Sequence, residues 1–263
     1  MGRRLFEMGL AVYGCVVIAF LILPIIVIIP MSFNAAPVFE VIPSQPSFSQ
    51  YQRLFNSPEW LTVLWRSVGI AASAMVTSTI IGTLAALGTL RLGSRARSLF
   101  EAMLISPQIV PSVVIAASAY YVFALLGLIG SIAGIVIMHA LIALPFVLIL
   151  VQSRLQSINP DFAQASASLG ATPLQTFWLI TMPQLQLALI GAAVLAFHVS
   201  FDEVVLALFL SGARTKTLPV KLWDSIMFEV SPLLPAISAL VIVIPLLVIA
   251  PAIWLQRRSK ATT

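Results

Sequence analysis

The chain has 263 residues, of which 60% are hydrophobic and only 9% charged, with a mean hydropathy of +1.07. A soluble domain carries about a quarter charged residues, so this composition excludes one and indicates an all-α polytopic membrane protein. The net charge of +5 and pI near 9.9 do not point to nucleic acid, because the basic residues sit at the ends of apolar runs and form no basic face. The single cysteine, Cys15, lies in the first apolar run, which leaves no disulfide framework and no Cys-rich metal site.

Six apolar runs are long enough to cross a bilayer, which takes about 20 residues. They fall near 9–31, 62–90, 101–125, 129–150, 184–210 and 233–255, within a single membrane domain over 1–263. Arg3 and Arg4 precede the first run. It is longer than the roughly 7–15 residues of a signal-peptide core and lacks a clear small-x-small cleavage site, so it reads as an uncleaved first span. The segment after it, 32–61, holds Pro37, Pro43, Pro46 and Pro58, and its Ser47–Gln52 stretch and Trp60 suggest an amphipathic or irregular piece at the membrane interface.

The third run is interrupted by Pro107 and Pro111, which should kink it, either freeing carbonyls toward a cavity or serving packing alone. Gly127, Gly130 and Gly134 permit a tight turn and close helix approach. His139 in the fourth run is read as a structural histidine bonding a neighbouring helix, with a proton relay as the alternative.

The segment Asp161–Pro183 differs from the rest in being moderately polar. Asn159 before Pro160 reads as a helix start, and Ala163, Ala165 and Ala167 favour a helix. Gly170 suits the left-handed position just past a helix end. Thr172-Pro173-Leu174-Gln175 has the form of a capping box that opens a second short helix with Leu174, Phe177 and Trp178 on its apolar face. The fifth run carries His198, Ser200, Asp202 and Glu203. Ionisable residues within a span are functional candidates by default. His198 and Asp202, four apart, are expected on one helix face, with Glu203 rotated about 100° away. Three ligands on adjacent turns of one helix converge poorly on one metal ion. The open alternatives are a pathway-facing anionic site, pairing with a basic residue of another subunit, and a hydrated cavity.

Lysine and arginine set the expected orientation. With the N-terminus inside, Arg3, Arg4, Arg91, Arg95, Arg97, Arg154, Arg257, Arg258 and Lys260 are cytoplasmic, and Arg53, Arg66, Arg214, Lys216 and Lys221 are outside. Nine against five favours N-in and C-in, and puts the 151–183 loop inside.

The 161–183 segment resembles the cytoplasmic "EAA" loop of ABC-importer permeases. The family pattern is Glu-Ala-Ala, three residues, Gly, nine residues, then Ile-x-Leu-Pro. Here it reads Gln164-Ala165-Ser166, three residues, Gly170, nine residues, then Ile180-Thr181-Met182-Pro183. The spacing matches throughout, with Gln164, Ser166 and Met182 standing where the family has Glu, Ala and Leu. Other blocks resemble the second permease subunit of spermidine/putrescine transporters: Phe48-Ser49-Gln50-Tyr51 through Trp60, Gly127–Ser131 with Gly134, His139 and Pro145-Phe146, then Ser200–Glu203, Phe209–Gly212 and Thr217–Val220. Two positions depart: Ser112 stands where many polyamine permeases carry a carboxylate, and Arg66 precedes Ser67 where Asn is common.

The resemblance implies a type I importer permease (MetI-like) fold with a cytoplasmic coupling helix, in the bacterial inner membrane. It implies a pathway formed with a second permease subunit as a heterodimer, two cytoplasmic ATPase subunits docked on such loops, and a periplasmic solute-binding protein. The docking residues would be Asp161, Gln164, Ala165, Ser166, Gly170, Ala171, Thr172, Phe177, Ile180 and Pro183, within a loop of about 157–183. The pathway residues would be His198, Ser200, Asp202 and Glu203. The cargo would be a polyamine or another small cationic or zwitterionic organic solute. No Walker A pattern is present, so the chain is expected to bind no cofactor, with ATP and Mg used by the partner ATPase. The alternative is a proton-coupled secondary carrier using Asp202, Glu203 and His198. An intramembrane enzyme is set aside for want of a Gly-x-Ser-x-Gly or His-Glu-x-x-His motif.

Overall fold

The computed structural model describes residues 2–35, 40–228 and 231–261, with side chains described for 6–35, 40–228 and 231–254. Pro37 of the first loop, and the side chains of Arg3, Arg4, Arg257, Arg258 and Lys260, lie outside these residues. The described chain is helical, and its one ladder contact is an isolated antiparallel bridge between Asn34 and Pro46. Five helices are long and apolar enough to cross a membrane, or six if one bent pair counts as a span.

Backbone contacts group the chain into two units, 1–61 with 222–244, and 62–221 with 245–263. In the first, α1 (Gly2–Met31) carries the first apolar run and buries none of its most apolar window. The chain then turns back through Ser47 N–H donating to Phe33 O at 2.6 Å and Ala35 N–H to Gln45 O at 3.1 Å. Phe33, Phe48 and Tyr51 pack ring on ring, and the Tyr51 hydroxyl donates to Ser32 Oγ at 2.7 Å. The short helix α2 (Ser49–Phe55) follows, so part of the segment expected to be amphipathic or irregular is helical.

In the second unit the core lies between α6 (Ile132–Ser157) and α9 (Met182–Phe201), with the end of α3 (Pro58–Thr89) against them. Val147, Leu148, Val151, Leu185, Ala192 and Ala196 are fully buried there, joined by Ala86 of α3. Small residues at these contacts let backbones approach, which is how helices associate where lipid removes the hydrophobic drive. The fourth and sixth runs form α6 and α12 (Leu234–Ala261) near their expected bounds.

Two expected spans are broken. The third run is not one straight helix: α4 (Ser94–Ile105) with the 3₁₀ turn Ser106–Gln108 meets α5 (Ser112–Leu125) at 98°. Pro107 and Pro111 explain the break, since Pro111 lacks a donor and biases Val110 away from helix. The turn from α5 to α6 holds Gly127 at φ +67° and Gly130 at φ +73°, the left-handed region that favours glycine. The fifth run, expected as 184–210, instead runs as one helical rod over Pro173–Phe201, stops, and resumes as α10 (Val205–Leu210).

Candidate coupling loop and pathway site

The first helix of the loop, α7, spans Asp161–Ser168. Asn159 Oδ1 accepts from Asp161 N–H at 2.9 Å, satisfying one of the donors that a helix start leaves free. The acidic Asp161 in the first turn complements the helix dipole. At the other end Gly170 sits at φ +82°. Gly170 N–H bonds Ala167 O at 3.0 Å and Ala171 N–H bonds Ser166 O at 3.1 Å, the two crossed bonds of a Schellman cap. A side chain at Gly170 would have open space around it, so backbone conformation alone demands glycine.

The second helix, α8 (Pro173–Thr176), opens with the full capping box. Thr172 Oγ1 accepts from Gln175 N–H at 3.3 Å, and Gln175 Oε1 accepts from Thr172 N–H at 2.8 Å. Ser166 is buried and its Oγ lies 2.7 Å from Thr176 Oγ1, so the hydroxyl at this position of the motif fastens the two helices together. Gln164 and Ala165 face outward, as do Phe162, Leu169, Leu174, Trp178 and Leu179, with Leu169 at 88% exposure. A helix-turn-helix braced at every end thus presents uncovered apolar side chains.

One expectation for this loop needs correction. The second helix is not a separate short piece. A π turn over Phe177–Thr181, with Met182 N–H reaching Phe177 O, joins α8 to α9 without a break. The wide turn precedes Pro183, whose ring and missing donor would disturb regular α register. Gln184 Nε2 donates to the Ile180 carbonyl at 3.1 Å, and Arg154 Nε to Gln184 O at 2.9 Å, so side chains serve carbonyls beside the irregular turn. The second helix of the loop and the helix that bears His198 and Ser200 are therefore one continuous helical rod over Pro173–Phe201.

Those candidates are dispersed. The helix α9 ends at Phe201, Asp202 is its C-terminal cap position, and Glu203 lies beyond it, so the helix expected to carry all of them stops before Asp202. His198 and Asp202 are exposed, whereas Ser200 is buried against α6, with its Oγ 2.9 Å from His139 Nδ1. Glu203 accepts from Leu206 N–H at 2.9 Å and so caps α10. The expected role of His139 as an interhelical bond is observed. Three ligating side chains do not cluster in a metal-binding arrangement among the described residues.

A polar network escaped the sequence reading. Gln152 Nε2 of α6 donates to Thr89 Oγ1 at the end of α3 (3.1 Å) and to Glu101 Oε1 of α4 (3.0 Å). Arg97 Nε completes it on Glu101 at 2.8 Å. Its sequence signals were Gln152 just after an apolar run and the Arg97–Glu101 pair four residues apart.

Long apolar helices and a doubly capped loop that continues into one of them define the class as a multi-pass α-helical membrane protein. Residues 78–260 match the family described as "Binding-protein-dependent transport system inner membrane component", and the chain belongs to that family. It is 31% identical over 230 residues to the putrescine transport system permease protein PotI of Escherichia coli (strain K12), covering 85% of this chain and 82% of that one. It is 28% identical over 245 residues to the spermidine/putrescine transport system permease protein PotC of Haemophilus influenzae, covering 93% and 95%. The fold matches a bacterial ABC transporter involved in import of the acidic polysaccharide alginate, with TM-score 0.74, 21% identity and 97% of each chain covered. It also matches the MetNI methionine ABC transporter in an inward-facing conformation, with TM-score 0.62, 15% identity, and 79% and 99% covered.

Proposed function

We propose that this chain is the pathway-forming subunit of an ATP-driven importer in the bacterial inner membrane, oriented N-in and C-in, that couples to a cytoplasmic ATPase through the 157–183 loop. The observation that carries this reading is the loop itself. Its caps fix α7 and α8 rigidly, its apolar side chains are uncovered, and it continues through the π turn into α9. ATP and Mg belong to two partner ATPase subunits, and this chain hydrolyses nothing alone. A second permease subunit, as a heterodimer, completes the pathway, and a periplasmic binding protein delivers the solute.

The exposed pair His198 and Asp202 supports a pathway on that side of α9, since an ionisable group facing lipid is costly. Glu203 serves that pathway by holding the start of α10 in place. The cargo is a small cationic or zwitterionic organic solute, a polyamine first, on the strength of the two polyamine-permease relatives. No observation favours the proton-coupled carrier.

The test is a crosslink. In a Cys15→Ser background, Ala171→Cys should react with a membrane-impermeant maleimide only from the cytoplasmic side. A short bifunctional reagent should join it to the co-expressed ATPase. Labelling from the periplasmic side would reject the orientation, and a clean cytoplasmic label without a crosslink would reject docking.

A further inference from the structure

A cleft of about 630 Å³ opens between the end of α3 and the start of α8. Its first wall is the end of α3, where Leu84, Leu87 and Gly88 share one face, with Leu90 and Arg91 of the turn just beyond it. Its second wall is Pro173, Leu174 and Phe177 of the loop. Gly88 leaves the floor open, with nothing within 4 Å of where a Cβ would stand. Arg91 lies at the rim, exposed, and its guanidinium bonds no side chain among the described residues. Arg95, exposed nearby in sequence, is likewise unengaged, while Arg97 is held by Glu101.

Depth narrows the occupant. Leu84 and Leu87 belong to the apolar span Pro58–Thr89, and Arg91 follows its last residue by two. The opposite wall begins a 29-residue rod, about 43 Å at 1.5 Å per residue, longer than a hydrocarbon core of about 30 Å. The cleft therefore stands at the boundary between acyl chains and headgroups, apolar below and cationic at its rim.

We propose that this cleft binds an anionic phospholipid, with Arg91 holding the headgroup phosphate and Leu84, Leu87, Leu174 and Phe177 enclosing the upper acyl chain. No acidic residue lines it, so the amine of a zwitterionic headgroup finds no partner there. Cationic clefts beside membrane-spanning helices suit anionic headgroups on charge alone. Assignment to the inner leaflet rests on the orientation proposed above; binding of the lipid does not. Because Leu174 and Phe177 belong to the coupling element, a bound lipid would brace the loop against α3.

The test measures lipid on the full-length chain purified with its co-expressed partner subunits in mild detergent. Native mass spectrometry follows retention of added phosphatidylglycerol against phosphatidylcholine of the same acyl chains. Wild type should retain phosphatidylglycerol preferentially, and Arg91→Gln should lower that retention about fivefold, the weight of one interfacial cation. Gly88→Leu, which fills the floor and leaves the charge, should lower retention of both lipids, and Arg95→Gln should have a smaller effect than Arg91→Gln. Equal retention of the two lipids by wild type, or unchanged retention in both Arg91→Gln and Gly88→Leu, overturns the site. A photo-crosslink from position 88 to a partner subunit instead of lipid overturns it as well. Transport and ATPase docking do not enter the readout, so this result is separable from the coupling assignment.

Discussion

Two interruptions of helix sit at opposite ends of the same rod, and they are closed by different chemistry. Before it, α7 turns into α8 through Gly170 at φ +82° and the Thr172–Gln175 box. After it, α9 stops at Phe201 and α10 starts at Val205 with no glycine or proline between, and the carboxylate of Glu203 takes the Leu206 N–H. The first turn has water to fall back on, and its caps serve rigidity. The second lies in an apolar run, where an unsatisfied backbone group costs several kcal/mol. A break within an apolar run needs an acceptor for its freed donors, and Glu203 supplies one to Leu206 N–H, a task that its exposed neighbour Asp202 does not share.

The largest effect should come from the first turn. Gly170→Val forces a β-branched residue into left-handed backbone, at roughly 1–2 kcal/mol, and loosens the Schellman bonds that close α7. Uptake in cells and co-purification of the ATPase should both collapse. If both persist, the turn is decoration and the contrast with the α9–α10 break loses its meaning.

Next comes the pair of carboxylates. Asp202→Asn should cut uptake while thermal stability and ATPase docking stay at wild-type levels, because the Asp202 side chain is exposed and bonds no helix end among the described residues. Glu203→Ala should instead lower stability by about 1 kcal/mol, the usual worth of a lost cap, read as a lower melting midpoint in detergent. Glu203→Gln keeps an acceptor oxygen and should recover most of that loss. A stability defect in Asp202→Asn with none in Glu203→Ala would reverse the assignment.

These interruptions also mark what the sequence discloses. Asn159, Gly170 and the Thr172–Gln175 box act within a few residues of themselves, so their chemistry was legible before any fold was known. Pro107 and Pro111 announced a kink, but the 98° angle depends on what α4 and α5 each pack against. The fifth span was expected to start at 184, just after Pro183, because proline favours the first turn of a helix. It was the π turn before that proline, a rearrangement without a sequence mark, that let the rod continue. The break at Asp202–Val204 was hidden because hydropathy sees one apolar run where the backbone has two helices. The Gln152–Glu101–Thr89 network is hidden for another reason: its members lie on three helices, and only packing brings them together.

The smallest effect on uptake concerns Ser200, which tests which side of the rod belongs to the scaffold. Ser200 was grouped with His198, Asp202 and Glu203 by sequence, yet it points the other way, buried at 3% exposure against His139 at 1%. Interhelical polar bonds in membranes average only about 0.6 kcal/mol, because the dissociated helices find other partners. Ser200→Ala should cost at least that much. His139 Nε2 already lacks a partner among the described residues, so removing the bond at Nδ1 leaves the whole imidazole unserved. The expected loss therefore approaches the upper value of about 1.7 kcal/mol seen for such bonds. A double-mutant cycle with His139→Ala isolates the pairwise part from the cavity that the histidine leaves. Coupling of about 0.6 kcal/mol or more, with uptake per folded molecule unchanged in Ser200→Ala, places Ser200 in the scaffold. No coupling, together with a change in apparent KM for the transported solute, would return it to the pathway beside Asp202.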